Sequence, residues 1–250
     1  MRKLLLSAFL ATAAICCQCQ VARTICISGG EFDKPFIRKV IELTGKSDPK
    51  ICFLPTAAAD NPYEIAWWYE LCQGMPMKPS VMRVFLNSSP EQKSFQETLM
   101  DMDAIVVGGG STLNMMGIWK AQGIDTVLRQ AYQKGIVMAG GSAGSLCWFN
   151  AGLSDSRPKQ LSVVGCLGFI GTSHCPHYHS NPFRKPMYQE AIIKGELTPG
   201  YACDDRAGIL FKNEKYVMSF AADSTSHTYY VSASGGKIKE EPLPIAEILK

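Results

Sequence analysis

Residues Gly135–Phe149 read "GIVMAGGSAGSLCWF". An apolar run, Ile136–Ala139, stops at five small residues, Gly140-Gly141-Ser142-Ala143-Gly144, and a helix-like segment with Leu146, Trp148 and Phe149 follows. A short continuous apolar run closed by glycines has the pattern of a strand buried on both faces, so the stretch reads as a strand, a sharp turn and a helix. The turn fits Gly-x-Ser-x-Gly, the nucleophile elbow. Small residues are needed because the bend leaves no room for side chains beside the serine. The bend lifts the Ser142 hydroxyl clear of the sheet, and the helix behind it points its N-terminus toward any negative charge formed there. The competing use of Ser142 is as a simple helix cap.

Strand and helix patterns alternate outward from this stretch. "TICISGG" reads as a strand and "KPFIRKVIELTG" as a helix stopped by Gly45; "KICFLPTAAA" is a strand leading into "NPYEIAWWYELCQG", a helix opened by Asn61 and Pro62. "SVMRVFLN" and "DAIVVGGGS" read as strands on either side of the polar helical segment "PEQKSFQETLM", and a helical stretch broken near Gly123 leads back to the elbow strand. Such alternation predicts a mostly parallel sheet covered by helices on both faces, with reacting groups at the carboxyl ends of its strands. Beyond Phe149 the pattern loosens into loops with short strands, then the helix "MYQEAIIKGEL" and closing strands near 200–211, 215–222 and 227–234. Residues 21–250 hold no repeat or long linker and read as a single domain.

The 250 residues are 46% hydrophobic and 19% charged, with a net charge of +3. No clustered basic stripe is present, so a nucleic-acid partner is not expected. No apolar run beyond the N-terminus reaches the length of a membrane span. Residues 1–20, "MRKLLLSAFLATAAICCQCQ", have the basic start and apolar stretch of a secretory signal peptide. A secreted or periplasmic protein follows if they are one; a plain N-terminal extension is the alternative. Seven cysteines remain outside this segment, mostly within apolar runs and without a Cys-x-x-Cys pair, which suits small core residues rather than disulfides or zinc.

A serine nucleophile needs a base and an acid to orient that base. Three of the four histidines, His174, His177 and His179, crowd into "TSHCPHYHSN", whereas His227 lies on a late strand. The His-x-x-His-x-His spacing also resembles a metal site, but Glu190 is the only carboxylate nearby in sequence, and no metal is expected. Pro176 stiffens the backbone before His177, which suits a base. The acid candidates are Asp155 in "GLSDSRP" and Asp204 or Asp205 in "YACDDRAG". Adjacent strand-end carboxylates point to opposite sides, so only one of that pair can face the histidine. For the oxyanion, the Ala143 N–H is one donor and the glycines of "VVGGGST" offer a second. That glycine run lacks the lysine of a phosphate loop and the spacing of a dinucleotide fingerprint.

Taken together, "ICFLPTAA", "AIVVGGGSTLNMM", "GIVMAGGSAGSLCWF", "LSDSRP", "CPHYHSNPFRKPMYQE" and "GYACDDRAGILF" resemble, in order, the segments of peptidase family S51, which includes peptidase E (aspartyl dipeptidase) and, more distantly, cyanophycinase. The resemblance implies a three-layer αβα sandwich of the class I glutamine-amidotransferase-like, flavodoxin-like kind. It also implies a serine exopeptidase acting on short peptides, with N-terminal aspartate dipeptides as substrate and no cofactor. Carried over by position, the nucleophile falls on Ser142, the histidine on His177 and the oxyanion glycine on Gly110. The third member falls on Asp205, which is preferred, or on Asp155. Ser145, His179 and Arg206 stand where the family commonly has alanine, an acid and glycine. An aspartate side chain would need a cation, for which Arg184 and Lys185 are candidates. A cytoplasmic location is usual for the family, and a homodimer is left open. The rivals are another serine hydrolase, an esterase or a cyanophycinase-like β-aspartyl peptidase, and a non-catalytic binding protein on the same scaffold.

Overall fold

The computed structural model describes residues 21–250, so the candidate signal peptide lies outside the described residues. Apolar runs form strands and periodic runs form helices. The first half runs β1 (Thr24–Ser28), α1 (Lys34–Thr44), β2 (Lys50–Leu54), a 3-10 turn (Thr56–Ala58), α2 (Pro62–Leu71), β3 (Lys78–Val81), α3 (Phe95–Leu99) and β4 (Ala104–Val107). Next come α4 (Thr112–Gln122), α5 (Ile124–Lys134), β5 (Val137–Gly141) and α6 (Ala143–Leu146). The second half holds β6 (Phe149–Ser154), β7 (Ser162–Gly165), β8 (Ile170–Cys175), α7 (Arg184–Ile193), β9 (Gly200–Cys203) and β10 (Ala207–Lys212). It closes with β11 (Lys215–Ala221), β12 (Thr228–Ser234), β13 (Lys237–Leu243) and β14 (Ile245–Ile248).

Helix boundaries follow local chemistry. Asp33 caps α1 by accepting from the Phe36 N–H, and Asn61 caps α2 with Pro62 in its first turn. Gly123, at φ 71°, separates α4 from α5 where the break was expected. The polar segment before β4 yields only the short α3, closed by a capping box between Ser94 and Glu97.

The main sheet has the order β14-β11-β10-β1-β5-β4-β2-β3. The run β1-β5-β4-β2-β3 is parallel throughout, and β10 joins it antiparallel to β1. Alternate residues of each strand feed opposite faces. Ile25, Ile27, Ile105, Val107 and Met138 pack under α4 and α5 with Trp119 and Leu128. Cys26, Phe53, Val106 and Ala139 pack under α1 and α2 with Phe36, Val40 and Trp68. The result is the expected αβα sandwich, and burial of each of its Val, Leu, Ile, Phe and Met side chains contributes roughly 1.5–3 kcal/mol. All seven cysteines among the described residues are free, six of them buried, in keeping with their reading as core residues. No helix among the described residues is long and apolar enough to cross a membrane.

Two features depart from the sequence reading. The region expected to be loops with short strands contributes β6, β7 and β8 to a second, six-stranded sheet of order β13-β12-β9-β8-β6-β7. Its cover is α7, whose Tyr188, Ala191 and Ile192 pack on Leu153, Cys175, Ala202 and Val231. The helix after the elbow is a single turn, because Leu167 donates to the Cys147 carbonyl and Phe169 and Ile170 donate to that of Trp148, drawing the chain into β6. Helix-terminus stabilisation at Ser142 is therefore small.

Candidate active site

The elbow lies at the carboxyl end of β5, in the middle of the parallel run. Ser142 adopts φ 53° and ψ −117°, which is the first central position of a type II′ turn and normally belongs to glycine. Holding a serine there costs on the order of 1–3 kcal/mol. The surroundings enforce it: a Cβ at Gly144 would collide with the Val107 carbonyl, so nothing larger can pass behind the bend. Ser142 is thus pushed outward while the chain beneath it packs tightly on β4.

The imidazole of His177 meets this hydroxyl. Nε2 lies 2.7 Å from Ser142 Oγ, and Nδ1 lies 2.6 Å from Asp205 Oδ1. With Nδ1–H donating to the carboxylate, Nε2 is left to accept from the serine O–H. His177 follows Pro176 and has φ 55°, a position fixed because its N–H donates to the Gly29 carbonyl and that of Tyr178 donates to the Cys203 carbonyl. Asp205 sits in the turn by which the chain leaves β9 in the second sheet and enters β10 in the main one. Its Oδ1 also accepts from the Ser180 hydroxyl at 2.9 Å, a partner with no signal in the sequence. Asp204 points elsewhere, toward His179 Nδ1 and the His227 N–H.

The alternative acid does not join the group. Asp155 pairs with Arg184 at 2.9 Å, and the Arg184 guanidinium is buried, donating also to the Leu153 carbonyl. Lys185 is bonded to Glu240 at 2.8 Å and lies over the Tyr178 ring. Neither cation lines the cavity at Ser142, so the structure does not bring either to the place expected for holding an acidic side chain. The three clustered histidines likewise face three different partners. His174 is fully buried, with Nδ1 donating to the Tyr201 carbonyl and Nε2 near Ser145 Oγ, which also lies 2.7 Å from the Ser142 carbonyl.

The cavity at Ser142 has a volume of about 400 Å³, and its lining includes Gly108–Gly110, Gly141 and His177. Glu31, Phe32, Glu64 and Trp67 line the same cavity. Gly110, at φ 125°, adopts a backbone that a larger residue could not, and a Cβ there would strike the Ala57 carbonyl. The Gly110 and Ala143 N–H groups have no acceptor among the described residues, so both remain available to a ligand.

Burial pushes His174 down to about 3. Its folded-state value lies below that of the unfolded chain, so its contribution to stability is complete above pH 6.5 and is lost as pH falls toward 3. The slope from this one group is up to roughly 1.4 kcal/mol per pH unit. Denaturation of wild type and His174→Gln between pH 6.5 and 4 should give a shallower loss in the variant; parallel curves would assign the acid sensitivity to other groups.

Comparison with known proteins bears on the family and the fold. The sequence pattern of peptidase family S51 matches residues 24–218. An uncharacterized peptidase, YgaJ, of Bacillus subtilis (strain 168) is 38% identical over 206 residues, 82% of this chain and 88% of that protein. The crystal structure of a peptidase from an acI-B1 Actinobacterium superposes with a TM-score of 0.69 at 16% identity, covering 91% of this chain and 96% of that one. A second solved structure, from Listeria monocytogenes EGD-e, gives a TM-score of 0.62 at 18% identity over 81% of this chain and 100% of its own. At those identities the two structures speak to the fold alone, which they share with this chain. With the family pattern extending across most of the described residues, the chain belongs to peptidase family S51.

Proposed function

We propose that the protein is a serine exopeptidase that hydrolyses short peptides, with Ser142 as nucleophile, His177 as general base and acid, and Asp205 as the group that orients the imidazole. The carrying observation is the unbroken relay from Ser142 Oγ through His177 to Asp205, at 2.7 and 2.6 Å. In this reading Ser142 Oγ attacks the scissile carbonyl carbon as its proton passes to His177 Nε2. The carboxylate of Asp205 stabilises the imidazolium formed. The carbonyl oxygen, now anionic, is held by the N–H groups of Gly110 and Ala143, each such donor lowering the barrier by roughly 3–4 kcal/mol. His177 returns the proton to the departing amine, and water then releases the acyl group by the same steps in reverse. The aspartate preference implied by the resemblance draws no support from the cavity, since Arg184 and Lys185 are bonded elsewhere.

The test is covalent labelling with a peptidyl phosphonate beside turnover of unblocked dipeptides. Mass spectrometry should place the phosphonate on Ser142, with product release abolished in the labelled protein. Labelling at another residue, or full turnover after labelling, would remove Ser142 from the mechanism.

A further inference from the structure

The charges facing the candidate nucleophile are both negative. Glu31 and Glu64 line the cavity that holds Ser142 and His177, and neither forms an ion pair among the described residues. Glu31 is tied in place by the preceding residue, because the Gly30 N–H donates to the Asp205 carbonyl. Glu64 lies three residues beyond the cap of α2, where a glutamate ordinarily reaches back to the cap N–H. Here the Asn61 N–H donates to the Ala58 carbonyl instead, so the Glu64 carboxylate is spare. Burial, together with the charge of Glu31, raises the Glu64 carboxyl above its ordinary range, as expected for like charges that lack a counterion. Phe32 and Trp67, with ring centroids 5.4 Å apart, supply an aromatic wall in the same cavity.

We infer that this cavity selects substrates by positive charge on the N-terminal residue, so that a lysine or arginine side chain lies along Phe32 and Trp67 with its cation and the free α-ammonium shared between Glu31 and Glu64. The inference rests on the proposed function for the position of the scissile carbonyl at Ser142. Carboxylates attract either cation, aromatic faces add cation–π attraction, and an N-terminal aspartate would meet two like charges. Ser142 and His177 locate the site; the two glutamates set which peptide enters it.

The experiment compares lysyl-alanine, norleucyl-alanine and aspartyl-alanine, which separate charge from chain length. Turnover by wild type is measured beside calorimetric binding to Ser142→Ala. Lysyl-alanine should exceed norleucyl-alanine on the order of tenfold in kcat/KM and in affinity, and aspartyl-alanine should be poorest. The double variant Glu31→Gln/Glu64→Gln should bring the lysyl to norleucyl ratio close to one, and added salt should shrink it in wild type. Equal or better use of norleucyl- or aspartyl-alanine, or an unchanged ratio in the double variant, overturns the inference while leaving the serine peptidase reading intact. If wild type cleaves none of the three yet Ser142→Ala binds the lysyl peptide selectively, the peptidase reading fails and the charge preference stands. Absence of both turnover and binding overturns the inference too.

Discussion

Replacing Ser142 with alanine should lower kcat by about 10⁴–10⁶ with the fold intact, because in the proposed mechanism it removes the bond-forming atom and leaves only binding and the oxyanion donors. The thermal midpoint should stay within about 2–4 °C of wild type, since one partly exposed hydroxyl contributes little to packing. Ser142→Gly makes the expectation sharper. The residue sits at φ 53°, so glycine should abolish turnover and raise stability by roughly 1 kcal/mol as the backbone strain is released. Activity lost together with stability gained is the signature of a conformation held for chemistry. If the alanine variant kept turnover within about tenfold of wild type, Ser142 would not be the nucleophile.

The two acidic candidates should separate cleanly. Asp205→Asn should reduce kcat by about 10⁴, the size of effect expected when the carboxylate that fixes the histidine tautomer is lost. The Ser180 hydroxyl could still bond the amide, so folding should be little changed. Asp155→Asn should leave kcat within about threefold and instead lower stability by roughly 1 kcal/mol. It deprives the buried Arg184 guanidinium of its partner, but the Asp155 side chain is 64% exposed, so water screens much of that pair. Measuring kcat and urea midpoints for both variants decides the assignment. A large fall in kcat for Asp155→Asn with little for Asp205→Asn would reverse it.

Much of the site was legible because its determinants are local. The small residues around Ser142 favour a tight bend, and the glycine-closed apolar run before it has the pattern of a buried strand. The doublet Asp204-Asp205 announced that one carboxylate would face away, and the structure turns Asp204 toward His179 and Asp205 toward His177. The preference for Asp205 over Asp155 rested on the family resemblance and not on any local signal. Both lie at plausible distances along the chain, and only the crossing from the second sheet to the main sheet brings Asp205 to the imidazole. The one-turn α6 and the second sheet were also hidden, since the Gly- and Ser-rich stretch after Phe149 forms strands by pairing with distant partners and packing under α7.

The lining of the cavity shows the same division. Glu31 follows the first strand at its carboxyl end, where functional groups collect in parallel sheets, so a signal existed. Glu64 stands in the first turn of α2, an ordinary place for a glutamate, and only the bond from the Asn61 N–H to the Ala58 carbonyl reveals that its carboxylate is free. Arg184 and Lys185 were the candidate cations for an acidic substrate side chain, yet one is buried against Asp155 and the other is clamped by Glu240. Side-chain partners of this kind depend on which surfaces the fold presses together.

By itself the sequence determined the αβα architecture, the bend that carries Ser142 and the short stretch supplying the imidazole, because apolar periodicity and steric crowding act over a few residues. The tertiary structure decided the rest: that Ser142 and His177, 35 residues apart, lie in hydrogen-bond contact, that Asp205 rather than Asp155 completes the relay, and that two carboxylates face the cavity. Those outcomes follow from strand order and from the packing of one sheet against another, which bring together atoms whose separation along the chain says nothing about their separation in space.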